Sequence, residues 1–176
     1  MYRMIVARKI RASWREVQQR NAGAVVDQFA RDFEYRFVGE HALGGVRRTR
    51  ASQLEWFERL FRVFPSIEFT VRDVIVTGPP WRTRAAVLLD VRIPGERGYS
   101  DAEPVWTNEV MQTVELRWGR ITRIVTMTDT QREVAILTRL TEAGMAEAAA
   151  APIEDGAAPT GDGDCDSERA RALLAG

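Results

Sequence analysis

Residues 106–129, WTNEVMQTVELRWGRITRIVTMTD, decide the fold. Two extended runs meet at Trp118-Gly119-Arg120, so the stretch reads as a long β-hairpin. In a strand, residues i and i+2 share a face. Asn108, Val110, Gln112, Val114, Leu116 and Trp118 fall on one face. Glu109, Thr113, Glu115 and Arg117 fall on the other, with Met111 as the exception there. The first face mixes apolar residues with two amides, the makeup of a lined pocket. In the second run Val125, Met127 and Asp129 share a face, which places a carboxylate at the end of an apolar wall.

Working outward, the residues upstream alternate between helical and strand patterns. Ile10, Trp14, Val17 and Ala24 recur at helical spacing, broken at Asn21-Ala22-Gly23, and Val25, Val26 and Phe29 begin a shorter helix. Residues 33–38 switch to period two, with Phe33, Tyr35 and Phe37 on one face. Gly39, Gly44 and Gly45 mark a loop around His41. Thr49 and Ser52 are rival N-caps, Ser52 with Glu55 forming a capping box, for a helix that runs to about Phe64 and stops at Pro65. Phe69–Thr77 and Thr83–Ile93 read as strands around the Gly78-Pro79-Pro80-Trp81 turn, and Gly95–Glu103 as a polar loop. After the hairpin, Val134, Leu137 and Leu140 mark a last helix. From Gly144 the chain turns Ala/Gly/Asp-rich and too poor in large apolar groups to offset the entropy of ordering. The expected division is therefore a folded domain over 1–143 and a disordered tail over 144–176, with a helical turn near Ser167–Leu174.

The chain has 176 residues, 25 basic and 25 acidic, for a formal net charge of zero. That balance argues against nucleic acid as a partner, although Arg47, Arg48 and Arg50 form a short basic run. Cys165 is the single cysteine and His41 the single histidine, so no disulfide framework and no zinc site can be built within one chain. No apolar stretch reaches the roughly 20 residues of a membrane span, and the N-terminus lacks the plan of a signal peptide. A cytoplasmic protein with no membrane partner is expected. There is no phosphate-cradling glycine loop and no serine elbow, and no cofactor is expected.

Helix, helix, strand, helix and then four strands is an α+β order, with helices gathered on one face of a curved antiparallel sheet. That order, with HALGG (41–45), WFERLF (56–61), GPPW (78–81), TNE (107–109), RWGRI (117–121) and DTQ (129–131), resembles the SnoaL-like branch of the nuclear transport factor 2-like superfamily over residues 10–142. The resemblance implies a cone-shaped half-barrel, a pocket between sheet and N-terminal helices, and dimerisation through the outer sheet face. For the polyketide cyclases it implies an acid–base aspartate on the last strand, where Asp129 stands. The paired carboxylates and arginine of the related epoxide hydrolases find no counterpart, since Asp90, the nearest second acid, points away from the apolar face.

Thr130 with Glu133 forms a complete capping box, which frees Asp129 from capping. Beside Met127 and Val125, desolvation would favour its protonated form, as a general acid or base requires. His41 is the second catalytic candidate because of its titration range. Tyr35, Asn108 and Gln112 are candidate donors to a substrate oxygen. Trp14, Trp56, Trp81 and Met127 are candidate walls for a flat apolar ligand. The expected function is a cofactor-free cyclase or isomerase acting on a small, largely apolar carbonyl compound, polyketide- or steroid-like. The alternatives are a non-catalytic binding or dimerisation module, and an epoxide hydrolase or dehydratase of the same fold. A homodimer is expected, because the face with Glu109, Thr113, Glu115 and Arg117, joined by Arg84, Asp90 and Arg92, carries both signs of charge.

Overall fold

The structure, a computed structural model, describes residues 1–94 and 106–156. The loop expected over 95–103, Cys165 and the turn expected near Ser167–Leu174 lie outside the described residues. Helix α1 (Tyr2–Gln18) and the short α2 (Ala22–Val26) precede strand β1 (Phe29–Phe37) and a short strand β2 (Gly45–Arg47). Helix α3 (Arg50–Val63) leads into β3 (Glu68–Thr77), β4 (Thr83–Ile93), β5 (Trp106–Arg117) and β6 (Arg120–Thr128). Helix α4 (Thr130–Glu142) and a 3-10 turn (Ala146–Ala149) follow.

The six strands form one curved, unclosed sheet in the order β2-β1-β6-β5-β4-β3. The fold is α+β, as expected, with one difference: β1 and β6 pair in parallel, so the sheet is mixed. The β5–β6 hairpin turns through Trp118 and Gly119, at φ 52° and 78°. Two positive φ values in a two-residue loop are the type I′ geometry that matches strand twist, and glycine takes one of them at no steric cost. Trp118, placed by sequence on the pocket face, is thereby thrown outward and is 69% exposed.

The β4 and β5 ladder is regular from Thr83↔Leu116 to Ile93↔Trp106. Its inner face carries Ala85, Val87, Leu89 and Val91 from β4, and Asn108, Val110, Gln112, Val114 and Leu116 from β5, all buried. On β6 the register slips: Glu115 pairs with Arg123, but Leu116 pairs with Ile121. The extra residue is Thr122. A bulge of one residue sends every later side chain to the opposite face. Ile121, Ile124 and Thr126 therefore point inward, and Met127 is exposed. Strict alternation from Ile121 would have placed Val125, Met127 and Asp129 inside; the bulge overturns that placement.

Helices α1, α2 and α3 cover the inner face. Val6, Ile10 and Val17 of α1, Val25 and Val26 of α2, and Trp56, Phe57 and Leu60 of α3 are all buried against the sheet. Each such side chain contributes about 1.5–3 kcal/mol over its exposed state. Thr49 is the cap of α3, accepting from the Ser52 amide at 3.2 Å.

The packed chain does not end at residue 143. Ala148 and Ile153 are buried in the core. The Asp155 amide donates to the Val46 carbonyl at 2.9 Å. The Asp155 carboxylate accepts from the Thr49 amide at 2.8 Å and from the Ser52 hydroxyl at 2.7 Å. Residues 145–156 thus form a strap across β2 and the start of α3. The sequence expectation of a tail disordered from Gly144 fails over this segment, because the strap's partners lie about a hundred positions upstream, beyond the reach of any local pattern. Among the described residues, no helix is long and apolar enough to cross a membrane.

Candidate functional site

Between the helices and the sheet lies a cavity of about 90 Å³. At the ~10–15 Å³ each water needs, that holds several waters or a small flat ligand in their place. Its walls are almost wholly apolar: Trp14 and Val17 of α1, Trp56 and Leu60 of α3, and Phe37, Val91 and Val114 of the sheet. Trp14 and Trp56 stand where the sequence placed them. The Trp56 ring N–H is satisfied by the Leu43 carbonyl at 2.8 Å, so its face is free to act as wall.

Polar groups enter this apolar chamber at two places. The first is a relay across the sheet. Gln112 donates to Thr126 Oγ1 at 2.9 Å, and Thr126 Oγ1 donates to Tyr35 Oη at 3.0 Å. All three are buried. Since Tyr35 Oη accepts from Thr126, its own proton has no protein acceptor among the described residues and is available to a ligand. Burial raises the Tyr35 pKa, while the Thr126 hydrogen bond and the nearby Arg47 charge oppose that rise.

The second place is Glu133, on the first turn of α4. It is 4% exposed and lines the cavity. Burial pushes its carboxyl pKa up to about 7, against a weaker opposing pull from the Asn108 amide, which donates to Oε2 at 3.3 Å. Its other oxygen has no hydrogen-bond partner among the described residues. Thr128 Oγ1, buried and also without a partner, lines the same cavity, its residue paired with Val110, two positions from Asn108. A carboxyl that titrates near neutrality, facing an apolar chamber, can either give or take a proton there.

Asp129 does not occupy that role. Its carboxylate caps α4, accepting from the amides of Gln131 at 3.1 Å and Arg132 at 3.2 Å, and its side chain is half exposed. The capping box read at Thr130 does not form; the aspartate one residue earlier wins the cap, since aspartate is at least as good a cap as threonine. Glu133, read as that box's second member, is instead turned inward with Ile136 and Leu137. The signal was in the sequence. Glu133, Ile136, Leu137 and Leu140 follow the i, i+3, i+4, i+7 stripe of a buried helix face, whereas Val134, one of the residues whose spacing marked this helix, is 42% exposed.

Asn108 is buried but serves mainly as a tether. It donates to the Asp129 carbonyl and accepts from the Asp129 amide, both at 3.2 Å, pinning β5 to the start of α4. His41 does not reach the cavity. It is buried beneath Gly39, edge-on to Phe37 at 5.6 Å, and borders a separate surface groove beside α4. Burial lowers its pKa. A side chain on Gly39 would come within 2.4 Å of His41 Nε2, so the bare glycine is what seats the ring. Trp81 is 57% exposed and packs on Trp118 at the sheet's end, centroids 5.9 Å apart. Met127 lies on the outer face opposite Met111. Neither touches the cavity. Among the described residues, no three His, Cys, Asp or Glu side chains cluster as a metal site would require.

With this geometry established, comparison with known proteins places the chain. A SnoaL-like domain model matches residues 10–124, which includes Tyr35 and Gln112 of the relay and stops short of Thr126 and Glu133. Among solved structures, an NTF2-like protein of unknown function from Burkholderia pseudomallei is similar with TM-score 0.60 and 17% identity, covering 77% of this chain and 97% of that one. A protein provisionally designated a polyketide cyclase, from Xanthomonas campestris pv. campestris, gives TM-score 0.53 and 19% identity, over 77% and 98% of the two chains. One provisionally designated a ketosteroid isomerase, from Kribbella flavida, gives 0.52 and 16%, over 70% and 76%. No protein of curated function matches in sequence.

Proposed function

The chain belongs to the SnoaL-like domain family, and we propose that it is a cofactor-independent enzyme of the cyclase or isomerase type. Its substrate is a small, largely apolar carbonyl compound held in the cavity. The carrying observation is Glu133, a buried carboxyl with its pKa near 7 at the wall of an apolar chamber. Glu133, and not Asp129, takes a proton from the carbon beside the carbonyl and returns it after rearrangement. The Tyr35 hydroxyl, oriented by Thr126 and Gln112, donates to the oxygen on which charge develops. Thr126 and Thr128 are two residues apart on β6, roughly 7 Å, so the two polar places suit a conjugated carbonyl whose reacting carbon lies some bonds from its oxygen. The apolar lining favours a polyketide- or steroid-like skeleton. The hydrolase alternative needs a second acid, and Asp90 lies on the outer face, 3.0 Å from Arg72.

A test needs no natural substrate. Exchange of the α-protons of 2-tetralone in D₂O, followed by NMR, reads proton abstraction alone. The wild type should accelerate exchange, and Glu133→Gln should lose about 10²–10⁴-fold, the usual worth of a positioned acid or base. Unchanged exchange in Glu133→Gln would overturn the assignment. Binding without exchange in the wild type would favour the non-catalytic binding module.

The outer sheet face supports a homodimer as part of the same proposal. Met111 and Met127 pair at its middle, flanked by Arg72 with Asp90 and Glu109, and by Arg92 with Glu68. A second copy related by a two-fold axis would meet both signs of charge. Sedimentation showing a monomer alone at micromolar concentration would refute this.

A further inference from the structure

Arg47 is fully buried, at 0% exposure, yet no carboxylate among the described residues lies within ion-pair distance of it. Three backbone carbonyls receive its guanidinium instead: Gly44 at 2.7 Å, Gly45 at 3.2 Å and Ile153, from the strap, at 3.2 Å. Its Nε has no partner. A buried cation with no carboxylate in direct contact is a costly arrangement for a fold to keep. Its position is specific: the guanidinium carbon lies 5.1 Å from the ring centroids of both Tyr35 and Trp56, two walls of the cavity. Burial lowers its pKa to about 10, which leaves it charged at neutral pH. The charged or titratable groups that face it are Tyr35, Glu154 and Asp155 of the strap, and Arg59 of α3. Asp155 is occupied by the Thr49 amide and the Ser52 hydroxyl.

The chamber therefore has a donor hydroxyl on its inner wall and, behind that wall, a buried cation held by carbonyls with no carboxylate at ion-pair distance. We propose that Arg47, seated by the strap, is a positioning residue that acts through Tyr35, making its hydroxyl a site for an oxygen that bears negative charge. The pocket then takes flat enolic or phenolic ligands as their anions. This rests on the proposed reading of the cavity as the ligand site, but not on any reaction occurring there. It also gives the strap a function, since the Ile153 carbonyl is one of three groups that hold the cation in place.

The probe is 2-naphthol, whose ionised and neutral forms differ in absorbance, with naphthalene as its non-ionisable companion. In the wild-type protein, bound 2-naphthol should titrate at least one unit below its value in water, a preference of tenfold or more for the anion. Arg47→Gln should abolish that lowering while naphthalene binds within about twofold of wild type. A merely structural arginine would change both ligands alike. Arg47→Lys, which keeps the charge, should retain part of the lowering. Should Arg47→Gln fail to fold, Tyr35→Phe in a chain with Arg47 intact should also abolish it. A bound 2-naphthol that titrates at or above its solution value overturns the proposal, as does an unchanged lowering in Arg47→Gln or in Tyr35→Phe. Failure of both naphthalene and 2-naphthol to bind the wild type would overturn the cavity's reading as a ligand site, and this proposal with it.

Discussion

The two sides of the cavity each bury an ionisable group, and they deal with the burial in opposite ways. On the α4 side, Glu133 meets desolvation with only an amide at 3.3 Å to oppose it, and its pKa rises to about 7. On the β2 side, desolvation acts on Arg47 in the sense that again favours the neutral form, but lowers its pKa only to about 10. At neutral pH the carboxyl can shed its charge and the guanidinium cannot. The difference teaches what each side needs from the rest of the chain. Glu133 needs only an apolar setting, so a helix stripe suffices. Arg47 needs acceptors, and the fold brings carbonyls from the glycine loop and from a segment 106 residues downstream.

The largest effect should come from removing the β2 side's support. Truncation after Gly144 takes away the Ile153 carbonyl, the buried Ile153 side chain and the Asp155 contacts at the start of α3. It should cost about 3–5 kcal/mol, the range for stripping a partner from a buried charge, measured by urea denaturation. A loss under ~0.5 kcal/mol would show that the strap is dispensable, and that Arg47 is as self-sufficient as Glu133.

The next effect concerns the α4 side and has a defined sign. Glu133 has a folded pKa of about 7 against an ordinary carboxyl value of 4.5. Between those values the folded state binds more protons than the unfolded one, so stability falls as pH rises. The contribution is full below about 4.5 and lost as pH passes about 7, amounting to roughly 3 kcal/mol. Glu133→Gln should flatten that part of the stability–pH curve. A curve of the same shape in both proteins would place the titrating group elsewhere.

The smallest effect separates Glu133 from its neighbour one turn earlier. Asp129→Ala should cost about 1 kcal/mol through loss of the cap, while Thr130→Ala stays within ~0.5 kcal/mol. Asp129→Asn, which keeps a capping oxygen, should leave 2-tetralone exchange within a few-fold of wild type. A drop comparable to that of Glu133→Gln would return the catalytic role to Asp129.

Much of the fold was legible because it is local. The β5 alternation, the Trp118-Gly119 turn, the end of α3 at Pro65 and the apolar face of β4 are all short-range patterns. What escaped was non-local or non-periodic. The bulge at Thr122 is one residue, visible only as apolar residues at 121 and 124 where strict alternation allows 121 and 123. Its consequence was large, since it exchanged Thr126 and Thr128 for Val125 and Met127 on the cavity side. β2 has three residues, and its Arg47 read as part of a solvated basic run. The strap is poor in large apolar groups and is held by partners far upstream. Of the residues that line the cavity, Tyr35 and Gln112 were legible from strand parity and Trp14 from helical spacing, while Trp56 was picked out only by its residue type. Glu133 was missed because one residue pattern, Thr130 to Glu133, fits a capping box as well as a buried stripe, and only packing decides between them.

The central claim is that Glu133 holds its proton near neutral pH, and NMR reads this directly. In protein labelled with ¹³C at the glutamate carboxyl, the Cδ resonance absent from Glu133→Gln belongs to Glu133. We predict that this resonance titrates with a midpoint near 7. A midpoint in the ordinary range of a solvated glutamate, about 4.3, would contradict the account.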